Sequence, residues 1–155
     1  MNLASMLSPK VAKVSLEGIT KEEVIAELAE LLVRAGLVKD RTALLDALME
    51  REAKGSTGIG GGIAIPHARV AELNTIVLAV GISRDGVEFD AVDDKPVHLV
   101  FLLMGSISRP GQNVEALADI GCLVQVPGLY QKLVNAPDAQ ALIDAIATSQ
   151  QSSEI

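Results

Sequence analysis

The residues able to do chemistry gather between positions 51 and 70, in the run Arg51-Glu52-Ala53-Lys54-Gly55-Ser56-Thr57-Gly58-Ile59-Gly60-Gly61-Gly62-Ile63-Ala64-Ile65-Pro66-His67-Ala68-Arg69-Val70. Pro66 fixes its own φ and drives Ile65 into an extended conformation, so His67 is presented from a stiff backbone. A neutral imidazole carries a nucleophilic ring nitrogen near pH 7, which suits it to accepting a phosphoryl group and passing it on. A phosphoryl group adds nearly two negative charges, so it needs donors close by. Arg51 and Arg69 bracket the glycine-rich stretch and can meet its oxygens, Arg51 in bidentate fashion. A single histidine is more often structural. One that follows proline, beside a glycine run and two arginines, points to a phosphate site.

Five of the 13 glycines fall between positions 55 and 62. Such a run is entropically costly unless the backbone must take positive φ or approach another group closely. Two readings stay open. The loop is an anion-binding nest of backbone N–H groups around Gly58, supplemented by the Ser56 and Thr57 hydroxyls, or it is a hairpin or tight helix-to-strand crossing. It is not a Walker A loop, because no Gly-Lys-Ser/Thr follows at the required spacing, and a nucleotide-binding enzyme ranks last among the readings.

The remaining reactive residues read as structural. His98 lies in an apolar strand without a carboxylate or cysteine at metal-ligand spacing, so no metal site is assigned. Its side chain is expected on the face opposite Val97, Leu99 and Phe101. Cys122 is expected to be a small core or half-buried residue of a helix. Asp93-Asp94 reads as a solvated turn rather than a cation-binding pair, and no cofactor is implied.

What must position these residues follows from length and pattern. A chain of 155 residues allows one domain. A hydrophobic fraction of 49% with mean hydropathy of +0.36 excludes a disordered segment. With 2% aromatics, a base-stacking platform is excluded. A net charge of −7 repels polyanions, so neither nucleic acid nor an anionic membrane surface is an expected partner. One cysteine closes no intrachain disulfide, the N-terminal residues lack a signal-peptide pattern, and the longest apolar runs reach only about eight residues where a spanning helix needs ~20. The expected setting is cytoplasmic, without membrane insertion; the oligomeric state is not legible.

Ala12, Val14 and Leu16 alternate as a half-buried strand does. Thr20 and Glu23 form a capping box that opens a helix ended by Gly36, and Asp40 caps a second helix running to Ala53. Residues 75–83 and 97–104 are apolar on both faces, as central strands are, with turns at 84–86 and 93–96 around a short strand at 87–89. After a loop containing Pro110 and Gly111, Val114, Leu117, Ala118, Gly121 and Val124 recur at helical spacing. Shorter helices follow Pro127 and Pro137. Residues 1–148 form the domain, and 149–155 read as a polar tail that frays. Helices before and after a group of strands predict a single α/β domain with a mixed, roughly five-stranded sheet flanked by helices.

The segment REAKGSTGIGGGIAIPHARV closely resembles the active-site segment of the enzyme IIA domains of the bacterial sugar phosphotransferase system, fructose/mannitol type. The likeness is greatest to the stand-alone nitrogen-regulatory proteins and extends more weakly over the whole chain, including GVEFDAVDDKPVHLVFLLM. The resemblance implies that His67 is phosphorylated through Nε2, with Arg51 supporting the phosphate. It implies a small histidine phosphocarrier protein, or its nitrogen-branch paralogue, as donor, and regulatory protein targets as the output. Members usually carry a second histidine at the start of the helix after the central strand, where this sequence has Asn113-Val114. Asparagine can hydrogen-bond a phosphate or orient His67, but it cannot exchange a proton. A regulatory module that keeps the fold and only binds protein partners is therefore the alternative.

Overall fold

The computed structural model describes residues 1–153. Two side-chain caps set the first helices. The Thr20 hydroxyl accepts from the Glu23 amide at 3.2 Å and starts α1 (Lys21–Arg34). Asp40 accepts from the Ala43 amide at 3.0 Å and starts α2 (Arg41–Ala53). Each cap satisfies a backbone donor that the helix leaves unpaired, worth about 1 kcal/mol. The Glu72 carboxylate also takes the Lys39 and Asp40 amides, which ties the start of α2 to a loop beyond the glycine-rich segment.

Six strands form one mixed sheet, slightly larger than expected: β1 (Ala12–Lys13), β2 (Gly58–Gly60), β3 (Ile63–Ala64), β4 (His67–Val70), β5 (Val77–Val87) and β6 (Val97–Ser106). Their order is β1-β5-β6-β3-β2, with β4 also paired to β6. β5 and β6 are antiparallel, while β3 and β4 both run parallel to β6, one after the other along the same edge. Leu78, Val80 and Ile82 of β5 join Leu99, Phe101 and Leu103 of β6 on one face. They pack against α3 (Pro110–Leu123), α4 (Leu129–Val134) and α5 (Ala139–Ser153). Ala79, Val100, Leu102 and Met104 face the other way, onto Leu28 and Leu32 of α1 and Leu44 and Leu48 of α2. Both faces of the two central strands are covered, which explains their unbroken apolar sequence. No described helix is long and apolar enough to cross a membrane.

Several local expectations are corrected. The first strand keeps only two paired residues. Residues 84–86 do not turn the chain: β5 runs through them with a shift of register between Ile82 and Val87, and absorbs the start of the short strand expected at 87–89. Pro110 belongs to α3 rather than to the loop before it; its missing N–H costs nothing at a first helical position. On α3 the core side is Asn113, Ala116, Ile120 and Leu123, not the stripe containing Val114, which is 68% exposed. The same rotation leaves Cys122 exposed. In β6 the His98 and Leu99 amides share the Gly62 carbonyl, at 2.9 and 3.0 Å, which breaks the alternation. Val97 thus packs on the α1/α2 side, opposite Leu99, while His98 lines a small cavity with Tyr130 and Val134 of α4. Residues 149–153, read as the start of a tail, lie within α5, and the Gln150 side chain accepts the Leu3 amide at 2.9 Å. Residues 154 and 155 lie outside the described residues.

The glycine run folds as the β2–β3 hairpin. Gly61 and Gly62 at its tip have φ of +66° and +81°, as a two-residue type I′ turn requires. The tip has an anion of its own: the Asp93 carboxylate accepts the Gly61 amide at 3.0 Å. That bond, with a second from the Lys95 amide, holds the Asp93 carboxyl below its usual value. A lowered carboxylate value means the clasp is present above the unfolded-state pKa and lost as pH falls through the folded one. In a pH titration followed by amide NMR, the Gly61 resonance is expected to shift with a midpoint below that of an ordinary aspartate, and to stop titrating there in Asp93→Asn. A midpoint at the ordinary value would show that the clasp does not persist in solution.

Candidate functional site

A cleft of about 660 Å³ opens between α2 and α3 over β4. Its walls are one face of each helix. Ala47, Glu50, Arg51 and Lys54 line it from the α2 side, and Pro110, Asn113, Val114 and Leu117 from α3. Both sets follow the i, i+3, i+4, i+7 spacing that puts residues on one helical stripe. His67, Ala68 and Arg69 of β4 form the floor. Three permanent cations and one carboxylate line this cleft on a chain of net charge −7, so the local field is opposite in sign to that of the whole molecule.

His67 is placed by the sheet. It pairs with Leu103 in the register of β4 on β6, and the Pro66 carbonyl just before it accepts the Leu103 amide at 2.9 Å. The ring is placed by the residues just before its strand: His67 Nδ1 lies 2.8 Å from the Ile65 carbonyl oxygen. A carbonyl only accepts, so Nδ1 carries the proton and donates, leaving the neutral ring's lone pair on Nε2. The imidazole is thus oriented as a nucleophile through Nε2. Arg51, in the last turn of α2, donates from Nη1 to the Gly55 carbonyl at 2.9 Å, which leaves other guanidinium N–H groups for an anion in the cleft.

The structure does not bring every expected residue to this place. Ser56, Thr57 and Gly58 are absent from the cleft lining. The Ser56 hydroxyl donates to the Phe89 carbonyl and accepts the Gly58 amide. The Thr57 hydroxyl and amide both donate to the Glu52 carboxylate. Gly58 is packed so closely that an added Cβ would lie 2.8 Å from the Ala91 methyl. These groups hold the hairpin rather than face His67, because folding the glycines as a hairpin turns them inward.

Asn113 does reach the cleft, from an unusual seat. It is 6% exposed, and its Nδ2 donates to the Ala68 carbonyl at 3.3 Å, next to His67 in the chain. Its Oδ1 occupies space that a side chain at Gly105 would need, since a Cβ there would fall 1.5 Å from it. Gly105 in turn pairs with Arg69. Asn113 therefore pegs α3 onto the floor strand and leaves Val114 and Ile107, 68% and 57% exposed, beside the cleft.

Sequence reasoning missed Lys54, although its position three residues after Arg51 on a helix was a usable signal. It also missed Glu52, whose carboxylate is almost completely buried; nothing in a charged residue's identity tells that it will be inside. The N-terminal end of α3 carries no side-chain cap, so its positive end opens beside His67.

Residues 5–149 match the family described as "Phosphoenolpyruvate-dependent sugar phosphotransferase system, EIIA 2". The chain is 36% identical over 146 residues to the PTS system fructose-specific EIIABC component of Bacillus subtilis; that stretch is 94% of this chain and 23% of the relative, so the chain spans about a quarter of that protein. It is 32% identical over 150 residues to a nitrogen regulatory protein of Pseudomonas aeruginosa, covering 97% of each. The crystal structure of nitrogen regulatory protein IIA-Ntr from Neisseria meningitidis superposes with a TM-score of 0.84 at 28% identity, over 92% of this chain and 97% of that one. A match along nearly the whole sequence and the whole fold makes this chain a member of the enzyme IIA family of the phosphoenolpyruvate-dependent sugar phosphotransferase system.

Proposed function

We propose that this protein is a cytoplasmic phosphohistidine carrier in which His67 Nε2 accepts a phosphoryl group from a small histidine phosphocarrier protein or its nitrogen-branch paralogue. The observation that carries the reading is the 2.8 Å contact between His67 Nδ1 and the Ile65 carbonyl, which frees the Nε2 lone pair within a cationic cleft. In the step, the lone pair of Nε2 attacks phosphorus, the N–P bond of the donor breaks, and the donor imidazole leaves with that electron pair. Arg51, Lys54 and Arg69, with the positive end of α3, meet the charge on the equatorial oxygens. The exposed Ile107 and Val114 flank the cleft and supply apolar surface for a protein donor.

We assign it a nitrogen or metabolic regulatory output rather than sugar uptake, supported by the 97% coverage of the nitrogen regulatory relative, although a fructose-specific EIIA component of Haloferax volcanii is also 38% identical over 83% of each chain. Regulatory protein targets are the partners this implies. Asn113 favours a second reading, a binding module that keeps the fold without passing phosphate on: its Nδ2 is committed to the Ala68 carbonyl, and an amide cannot exchange a proton.

Purified protein incubated with a phosphocarrier relay is expected to gain one acid-labile phosphate, measured by intact mass. His67→Ala should gain none while keeping its circular dichroism spectrum. Undiminished uptake by that variant, or label on His98, would overturn the assignment, and no uptake by the unaltered protein would leave the binding-module reading in its place.

Arg51→Ala tests the electrostatics separately. Loss of one positioned charge at a transferring group costs about 10²–10³-fold in rate. A fall of that order in single-turnover phosphorylation is expected, with a melting temperature near that of the parent. A rate within a few-fold of the parent would mean that Lys54, Arg69 and the α3 terminus suffice.

A further inference from the structure

Glu52 follows Arg51 in the chain but points away from the cleft, since consecutive helical residues diverge by about 100°. It is 8% exposed, and its carboxylate is a junction. Oε2 accepts the Thr57 amide at 2.9 Å and Oε1 accepts the Thr57 hydroxyl. Lys21 Nζ, on α1, lies 3.7 Å from Oε2, and the same ammonium donates to the Phe89 carbonyl at 3.5 Å. One buried carboxylate thus joins the end of α2, the start of α1, the loop after β5 and the entry to the glycine hairpin.

From Thr57 the connection runs on to the imidazole. The Thr57 carbonyl accepts the Ile65 amide at 3.0 Å, and the Ile65 carbonyl accepts His67 Nδ1–H at 2.8 Å. Arg51 is referenced to the same short segment through its 2.9 Å bond to the Gly55 carbonyl. Both groups that must meet a phosphoryl group are therefore tied to residues 55–57, the His67 ring through Ile65 and Arg51 directly, and Glu52 clamps that segment.

We propose that Glu52 is a positioning residue for phosphoryl transfer: through Thr57 and Ile65 it holds the His67 ring as the Nδ1–H tautomer in one orientation, and through the 55–57 segment it holds Arg51 over the same oxygens. The inference rests on the reading of His67 as phosphoacceptor. Without the clamp the hairpin entry has lost its anchor to α2, and a displacement of the order of 1 Å between Nε2 and the guanidinium is enough to slow transfer by about 10²-fold.

The test uses the full chain and three readouts. Glu52→Gln keeps the shape and one acceptor while removing the charge; Thr57→Val removes only the hydroxyl donor and serves if the first variant fails to fold. Single-turnover phosphorylation at saturating donor is expected to fall about 10–100-fold in Glu52→Gln, with half-saturating donor concentration changed by less than about threefold. In an Arg51→Ala background the same substitution should cost much less, because residues acting as one unit are not additive. The third readout needs no donor: ¹⁵N shifts of the His67 ring should report the Nδ1–H tautomer in the parent and a mixture of tautomers in Glu52→Gln. Parent-like rates in a folded variant, equal losses in both backgrounds, or a variant whose ring stays wholly Nδ1–H would each overturn the proposal. If the unaltered protein takes no phosphate, the phosphoacceptor reading falls, and with it the phosphoryl-transfer role of Glu52. The ring shifts then decide only whether Glu52 holds the imidazole.

Discussion

The hydrogen bond from His67 Nδ1 to the Ile65 carbonyl is the constraint on which the site depends. It decides which ring nitrogen is nucleophilic and where that nitrogen points. It forms because Pro66 prevents a regular strand geometry at the one place where the histidine's own backbone would otherwise pair without interruption. β3 and β4 are two halves of one edge along β6, separated by Ile65-Pro66. The break lets the carbonyl two residues back face the imidazole instead of a neighbouring strand. The Ile65 amide still finds a partner in the Thr57 carbonyl, so the interruption leaves that buried donor paired.

Around that bond, the fold supplies rigidity from both faces of the sheet. α2 brings Arg51 and Lys54 from one side, and α3 brings its uncapped N-terminus from the other. Each helix is held by an apolar stripe packed on a different core: Leu44 and Leu48 of α2 with Leu102 and Met104, and Ala116 and Ile120 of α3 with Phe101 and Leu103. Burial of each large side chain contributes about 1.5–3 kcal/mol, so the walls of the cleft are anchored by far more energy than any single polar contact within it. Asn113 is the polar member of the otherwise apolar buried stripe of α3. Its amide sits where Gly105 leaves room, and its bond to Ala68 locks α3 to the strand that carries His67.

Glycine and charge are used here in pairs. The hairpin tip needs positive φ at Gly61 and Gly62, and its exposed amide is matched by Asp93 rather than by an external anion. The Glu52 carboxylate is buried next to Lys21 and two donors from Thr57. A buried carboxylate without such partners would be strongly destabilising. In both places an acidic side chain accepts backbone amides of the glycine segment, while Arg51 donates to its Gly55 carbonyl and still lines the cleft with Lys54 and Arg69.

The sequence by itself determined the first two helices and the two central strands, and it singled out His67 as the candidate reactive residue. Caps at Thr20 and Asp40 and the two central strands are local features, decided by residues a few positions apart, and they are found where capping and hydrophobic pattern place them. Only the tertiary structure decided which way surfaces face. Whether the glycine run receives an outside anion or an inside one depends on Asp93 and on Glu52, and the partners in those contacts meet only when the chain folds. The stripe of α3 that enters the core depends on Gly105, whose missing Cβ admits Asn113 and rotates Val114 outward. His98 changes sides because Gly62 takes two amides of β6. Each of these outcomes turns on contacts between residues distant in sequence, where steric fit and hydrogen-bond satisfaction outweigh hydrophobic periodicity.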